Sequence, residues 1–114
     1  MNFRASGSVR LRLALAAAVL VLPPASVTAA APRAHTVVLD KMKFGPLPAG
    51  IRSGDTIIWV NRDMFKHTAT ARDKSFNLDL PPGTSRKTVI KRAGTIPFYC
   101  IYHPGMNGAL KVAQ

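Results

Sequence analysis

Turn-forming residues interrupt this chain at short intervals between residues 45 and 108, and they limit the length of any regular element. Glycine, proline, asparagine and aspartate supply the turns, and the segments between them are short and rich in β-branched and aromatic residues. These segments predict strands at residues 35–40, 55–61, 67–71, 85–90, 95–100 and 109–113. Residues 72–83 are predicted to form the longest irregular connection.

The hydrophobic pattern of these segments alternates instead of following a helical period. No segment keeps the 3.6-residue period of a helix over ten residues. Near the C-terminus, Ile96, Phe98 and Cys100 fall on one face of a strand, and Leu110 and Val112 do the same in the next. The pattern predicts an all-β protein, either a β-sandwich or a small barrel.

The first thirty residues have the layout of a secretory signal peptide. Arg4, Arg10 and Arg12 form a basic start, residues 13–22 are all apolar, and two prolines and a run of small residues follow. A run of ten is too short for a helix that spans a bilayer, which needs about 20 apolar residues. We therefore expect residues 1–30 to be a cleaved signal peptide and export to the periplasm, with an uncleaved anchor as the alternative.

Residues 31–114 then form a single domain that is strongly basic. Without the three arginines of the leader, 13 lysines and arginines remain against five aspartates and no glutamate, a formal charge of +8. This charge indicates an acidic partner, anionic lipid or nucleic acid, and export argues against nucleic acid. We expect a monomer without stable membrane insertion after cleavage. Candidate contacts for the acidic partner are four basic residues on the loops that flank His67, which we expect to lie together at one end of the fold: Arg62, Lys66, Arg72 and Lys74.

The only cysteine lies on a short segment that also carries a histidine and a methionine. In Cys100-Ile101-Tyr102-His103-Pro104-Gly105-Met106, the cysteine ends a predicted strand, and the loop that follows brings the imidazole and the thioether back toward the thiol. Thiolate and imidazole bind borderline metals, and an added thioether selects copper over zinc. A single cysteine cannot form an internal disulfide, so a metal-bound thiolate also explains its presence in an exported domain.

A blue-copper centre needs a second imidazole, and two other histidines are available. His67 begins a predicted strand after a turn, where side chains at one end of a sandwich converge, and it is the stronger candidate. His35 lies in a predicted edge strand and is expected to be a surface residue. Two alternatives remain: Cys100 as a small buried hydrophobe, and Cys100 with His103 as a catalytic dyad, although no carboxylate or amide stands out to orient the histidine.

These residues resemble the small type I copper proteins, the cupredoxins, and most closely their amicyanin and plastocyanin branch. The C-x₂-H-x₂-M spacing and the segment GDTIIWVNR at residues 54–62, followed by His67, carry the resemblance over residues 36–113. It implies a Greek-key β-sandwich of about seven to eight short strands and one copper ion (Cu²⁺/Cu⁺). It also implies single-electron transfer and the ligands His67, Cys100, His103 and Met106.

Two positions differ from the common family pattern. Thr68 stands where an asparagine often follows the first histidine, and Ile101 stands where a serine or threonine often follows the cysteine. The polar side chains at those positions help to join the two ligand loops. The contacts that orient the ligands are therefore expected to differ in this chain.

The resemblance favours an exported carrier of single electrons between redox proteins. A periplasmic copper chaperone, buffer or resistance protein is the alternative, because the same four ligands serve either role. An enzyme is not expected, since copper oxidases and nitrite reductases need further histidine-bound coppers. With His67 and His103 assigned, only His35 is left.

Overall fold

The computed structural model describes residues 1–114. The chain has nine β-strands, all after residue 33, and no helix. Residues 1–33 are exposed and belong to no strand, and no segment forms a helix long and apolar enough to cross a membrane. The strands are β1 (Ala34–Asp40), β2 (Lys43–Phe44), β3 (Ile51–Arg52), β4 (Thr56–Asn61), β5 (His67–Ala71), β6 (Asn77–Leu80), β7 (Ser85–Val89), β8 (Gly94–Tyr99) and β9 (Asn107–Ala113).

Two sheets divide these strands between them. One has the order β2-β1-β4-β7 and the other the order β3-β9-β8-β5-β6. Both are mixed, because β1 runs parallel to β4 and β3 runs parallel to β9, whereas the other pairs are antiparallel. One cluster of 16 buried hydrophobic residues draws on both sheets. The prediction of an all-β sandwich is confirmed, with three more strands than the six that the sequence indicated: the very short β2 and β3 and the edge strand β6.

The predicted faces of the strands are also confirmed. Ile96, Phe98 and Cys100 are all buried, and so are Leu110 and Val112 on the neighbouring strand. Because side chains alternate across a strand, burial of Phe98 on β8 also directs the next core-facing position, Cys100, into the interior. The register of the core therefore determines where the thiol points.

An aromatic cluster fills the centre of the sandwich. The Phe98 ring lies 4.8 Å from Phe44 and 5.1 Å from Trp59, both edge to face, and Trp59 also contacts Phe76. Gly108 on β9 passes directly beneath Phe98, and a Cβ at this position would lie 2.7 Å from the ring. The absence of a side chain at residue 108 is what lets the ring pack against the strand.

The prediction of an irregular connection over residues 72–83 was wrong. A tight turn follows β5, in which the N–H of Lys74 donates to the carbonyl of Ala71, and β6 then pairs antiparallel with β5. Leu78 and Leu80 do alternate with polar residues, but β6 is a four-residue edge strand with only these two apolar positions. So short a pattern, flanked by polar residues, carried too little periodicity to be recognised.

The expectation that His35 is a surface residue was also wrong. Its side chain is only 12% exposed, and Nε2 lies 2.8 Å from Oδ2 of the buried Asp55. Asp55 also accepts hydrogen bonds from the backbone N–H groups of Arg33 and Arg52, so it joins the starts of β1 and β4 to the β3–β4 turn. This cluster lies at the end of β4 opposite Asn61.

The Asp55 cluster predicts a loss of stability in acid. The backbone N–H of Arg33, followed by the His35 side chain and the N–H of Arg52, lowers the pKa of Asp55 to about 2. The ionised carboxylate therefore stabilises the fold above its ordinary pKa of about 3.9, and this contribution disappears as the pH falls toward 2. Urea unfolding of the native protein and of Asp55→Asn should show a stability difference that is constant above pH 5 and shrinks below pH 4. A difference that does not vary between pH 6 and pH 2 would contradict this role.

Candidate metal centre

The antiparallel pairing of β5 and β8 brings His67 and Cys100 to the same end of the sandwich. Thr70 pairs with Tyr99 and Ala71 with Phe98, so the first residue of β5 lies near the residue that follows β8. His67 is that first residue and Cys100 directly follows β8. Both side chains are fully buried. The expectation that side chains at loop–strand junctions converge is confirmed for these two.

Two imidazole nitrogens face the thiol. The Nδ1 atom of His67 lies 3.8 Å from Sγ of Cys100, and the Nδ1 atom of His103 lies 3.7 Å from the same sulfur. The three donor atoms all lie within 4.8 Å of one another. They form a compact three-donor cluster of the kind that holds a metal ion, and His35 is not part of it.

The loop between β8 and β9 folds back on itself and returns Met106 to Cys100. The N–H of Met106 donates to the carbonyl of His103 at 2.8 Å, and the N–H of Cys100 donates to the carbonyl of Met106 at 3.0 Å. The Met106 side chain is buried and belongs to the hydrophobic core, whereas Pro104 and Gly105 at the tip of the loop are exposed. The two hydrogen bonds fix the ends of the loop on which three candidate ligands lie.

Thr68 connects the two segments that carry the candidate ligands. Its N–H points to Sγ of Cys100 at 3.4 Å, and its hydroxyl oxygen accepts the N–H of Ile101 at 2.9 Å. The same hydroxyl lies 2.9 Å from that of Thr70, which donates to Asn77. The contacts here therefore differ from the common family pattern, as expected. The Thr68 side chain joins the two loops by accepting a hydrogen bond from the backbone N–H of Ile101.

The outer nitrogen of His67 faces a carboxylate that the sequence interpretation did not include. Its Nε2 lies 3.0 Å from Oδ2 of Asp63, whose side chain is only 9% exposed. Hydrogen bonds from His67 and from the N–H groups of Met42 and Met64 hold the pKa of Asp63 below its usual value. The spacing of four residues between Asp63 and His67, across a turn, was the only feature of the sequence that indicated this contact.

His103 lies at the surface, within a patch of exposed apolar side chains. The histidine itself is half-buried, and Ile101 and Tyr102 beside it are about half exposed. Met64 and Phe65, on the loop before β5, are also exposed. Lys66 links the two loops, because its Nζ lies 5.3 Å above the centre of the Tyr102 ring.

Only two of the four basic residues considered for partner contact lie on this apolar surface. Arg62 and Lys66 precede β5 and flank the loop with Met64 and Phe65. Arg72 and Lys74 follow β5 at its other end, and the Arg72 guanidinium stacks 4.4 Å above the Tyr99 ring. The expectation that all four lie together was wrong, because a strand separates the two pairs.

The chemistry of the donors fits copper. A thiolate, two imidazoles and a thioether are the set that selects copper over zinc and over hard cations, and their His₂Cys arrangement with a methionine is that of a type I site. His67, Cys100, His103 and Met106 make up this set at one end of the sandwich. The cofactor that the site fits is a single copper ion.

Comparison with known proteins agrees with the fold and the site. No family model matches the sequence. A purple cupredoxin from Nitrosopumilus maritimus is similar with a TM-score of 0.62 and 24% identity, covering 68% of this chain and 98% of that chain. Amicyanin from Paracoccus versutus is similar with a TM-score of 0.59 and 26% identity, covering 77% and 86%. A Cu(I) form of an amicyanin variant gives a TM-score of 0.59 and 27% identity, covering 73% and 85%.

Proposed function

We propose that this chain, whose fold and structural neighbours are those of the cupredoxins, is an exported type I copper protein that carries single electrons between redox partners. The observation that carries the proposal is the cluster of the donor atoms of Cys100, His67 and His103, which lie within 4.8 Å of one another. His67 begins β5, whereas Cys100 and His103 lie on the β8–β9 loop, which also holds Met106. In this proposal residues 1–30 direct export and residues 31–114 form the folded copper-binding domain. The first strand begins at Ala34, which supports this division.

Each of the four residues has a separate role in this proposal. Bound copper supplies the one-electron couple between Cu(II) and Cu(I). Cys100 would provide a thiolate, His67 an imidazole that is completely shielded from water, and Met106 a weakly binding thioether. The backbone hydrogen bonds of the loop and the Thr68 contacts hold these groups in one arrangement, so that little has to move when the charge of the site changes.

His103 is the proposed route for electrons to and from the surface. It is the only one of the four that is partly exposed, and the exposed side chains of Met64, Phe65, Ile101 and Tyr102 lie on the two loops at its end of the sandwich. An apolar surface of this kind lets a partner approach closely without desolvating charges. Docking here would place a partner's redox group next to a ligand of the metal.

The charge of the domain favours an acidic partner. Arg62 and Lys66 border the apolar surface, and the formal charge of residues 31–114 is +8. Lys66 is only partly neutralised by Asp79 at 3.7 Å, because both side chains are largely exposed. A positive field around an apolar contact would speed encounter with an acidic surface and add specificity to docking.

Rates of electron transfer measured over a salt series test the function and the partner together. The copper protein should reduce an acidic redox protein faster than a basic one at low salt. Added salt should lower the rate of electron transfer with the acidic partner and raise the rate with the basic one. Salt screens the attraction or repulsion between the two proteins, over a Debye length of about 8 Å at physiological ionic strength. Lys66→Gln should lower the rate with the acidic partner, whereas Lys74→Gln, the same charge change at the other end of β5, should lower it less.

Two results would contradict this proposal. Electron transfer too slow to measure with either partner would argue against a carrier. Equal rates that do not respond to salt would contradict recognition of an acidic partner and leave the apolar surface as the only recognition element.

Copper handling without electron transfer is the second candidate. The partial exposure of His103 favours it, since an imidazole that reaches the surface gives an incoming acceptor access to the metal. A catalytic role has less support. Two of the three histidines lie in the metal cluster, and the third, His35, is hydrogen-bonded to Asp55 at the other end of β4.

A further inference from the structure

The Asp63 carboxylate defines which nitrogen of His67 carries a proton. An ionised carboxylate can only accept hydrogen bonds, so the 3.0 Å contact requires an N–H on Nε2 of His67. A neutral imidazole has only one N–H, and its Nδ1 then keeps a lone pair. That lone pair lies on the side of the ring that faces Cys100, 3.8 Å away.

Asp63 is itself held rigidly by groups from three segments. Its Oδ2 accepts the N–H of Met42 in the β1–β2 turn, and its Oδ1 accepts the N–H of Met64, both at 2.9 Å. Its own N–H donates to Oδ1 of Asn61. The Asn61 amide in turn donates to the carbonyls of Phe65 and Leu80, so it ties this loop to the end of β6.

The turn that donates to Asp63 is the two-residue connection of the hairpin formed by β1 and β2. Lys41 and Met42 have φ values of +51° and +58°, and positive φ at both positions is what the common two-residue hairpin turn requires. It places the N–H of Met42 on the carboxylate, although this turn lies 21 residues away in the chain. The hairpin between β1 and β2 therefore holds the Met42 N–H where it supports the Asp63 carboxylate.

We propose that Asp63 is a positioning residue for the metal centre: it fixes His67 in the tautomer that presents Nδ1 and makes this imidazole a stronger donor, which lowers the reduction potential of bound copper. A carboxylate hydrogen-bonded to the outer N–H of a metal-binding histidine orients the ring and raises its basicity. A stronger donor and a nearby negative charge both stabilise Cu(II) relative to Cu(I). The inference rests on the proposed copper site but not on the identity of the redox partner.

The charge and the hydrogen bond can be tested with two variants and one control. Asp63→Asn removes the charge but keeps one side-chain oxygen, which can take the place of Oδ2 and accept from His67 and the N–H of Met42, while the acceptor for Met64 is lost. Asp63→Ala removes the contact altogether. Asp79→Asn is the matched control, because it removes the same charge from an exposed side chain on β6, where residue 79 pairs with Thr68 next to His67.

Voltammetry of the copper-loaded proteins should give a more positive potential for Asp63→Asn than for the native protein, with a shift clearly larger than that of Asp79→Asn. The ¹⁵N resonances of the histidine side chains in the metal-free native protein should show the Nε2–H tautomer for His67. A Nδ1–H tautomer in the native protein would overturn the inference without any variant. A shift of Asp63→Asn no larger than that of the control would overturn it as well. In Asp63→Ala, His67 should populate both tautomers; retention of the native tautomer alone would also contradict the role.

The two kinds of measurement separate this inference from the proposed function. The tautomer is measured without metal, so it reports on Asp63 even if the protein carries no electrons. A native protein that fails to bind copper would contradict the proposed function, whereas an Nε2–H tautomer in the same protein would still support the orientation of His67 by Asp63.

Discussion

The Cys100→Ser variant is expected to stay colourless when Cu(II) is added, whereas the native protein turns intensely coloured. Thiolate bound to Cu(II) absorbs strongly in the visible range, and the chain has no other cysteine that could replace this ligand. The substitution should leave the fold intact, because serine is of similar size and its oxygen can accept the N–H of Thr68 as the sulfur does. Titration of the metal-free proteins with copper, followed by visible absorption, measures the effect.

Two controls show whether the colour belongs to the proposed ligand set. Met106→Leu should keep an intense band, since this variant retains the Cys100 thiolate that gives the band, and a thioether is only a weak ligand. His35→Ala should also keep the band, because His35 is paired with Asp55 far from the cluster. A native protein that stays colourless with its thiol free to react, or a band that disappears in His35→Ala, would contradict the assignment.

The Phe98→Ala variant is expected to lose about 3–5 kcal/mol of its free energy of unfolding. Phe98 is completely buried, and its ring packs edge to face on Phe44 and Trp59. Gly108 leaves no side chain beneath the ring that could fill the cavity. Because small domains are stable by about 5–15 kcal/mol in total, this single truncation should remove a large part of the stability. Urea unfolding at neutral pH measures the loss.

Phe65→Ala is the matched control for this truncation. It removes the same ring from a side chain that is half exposed on the loop before β5. Its effect on the free energy of unfolding should stay within about 0.5 kcal/mol, as for other surface substitutions. Equal losses in both variants, or a loss for Phe98→Ala below about 1 kcal/mol, would mean that the aromatic cluster does not dominate the core.

The positions of His67 and Cys100 followed from sequence because strand periodicity is a local property. Alternation over residues 96–100 was sufficient to turn the thiol inward, and the turn before His67 was sufficient to place it at the start of a strand. The short spacing to His103 and Met106 then required a loop that returns to the thiol. These inferences needed no knowledge of contacts between distant parts of the chain.

The groups around the candidate ligands could not be found in the same way. Asp63 receives a hydrogen bond from Met42, and Thr68 one from Ile101, over separations of 21 and 33 residues. Such contacts depend on the register of strand pairing and on the hairpin turn at residues 41 and 42, neither of which leaves a periodic pattern in the sequence. His35 was misjudged for the same reason, since its burial depends on Asp55, 20 residues away.

The positions of the basic residues around His67 show a third limit of prediction from sequence. Arg62, Lys66, Arg72 and Lys74 lie close together in the sequence on both sides of His67, and this proximity suggested a common surface. The strand β5 lies between the two pairs, and it carries Arg72 and Lys74 away from the apolar patch. Proximity in sequence predicts proximity in space only within one turn or loop, and a five-residue strand is enough to separate the two.

The electron self-exchange rate of the copper-loaded protein, measured together with the copper that it retains, tests the central claim most directly. The account predicts rapid exchange between the oxidised and reduced forms while copper stays bound, even when a metal-free Cu(I) acceptor is present. Rapid transfer of Cu(I) to that acceptor, with self-exchange too slow to detect, would contradict an electron carrier and establish a copper-handling protein in its place.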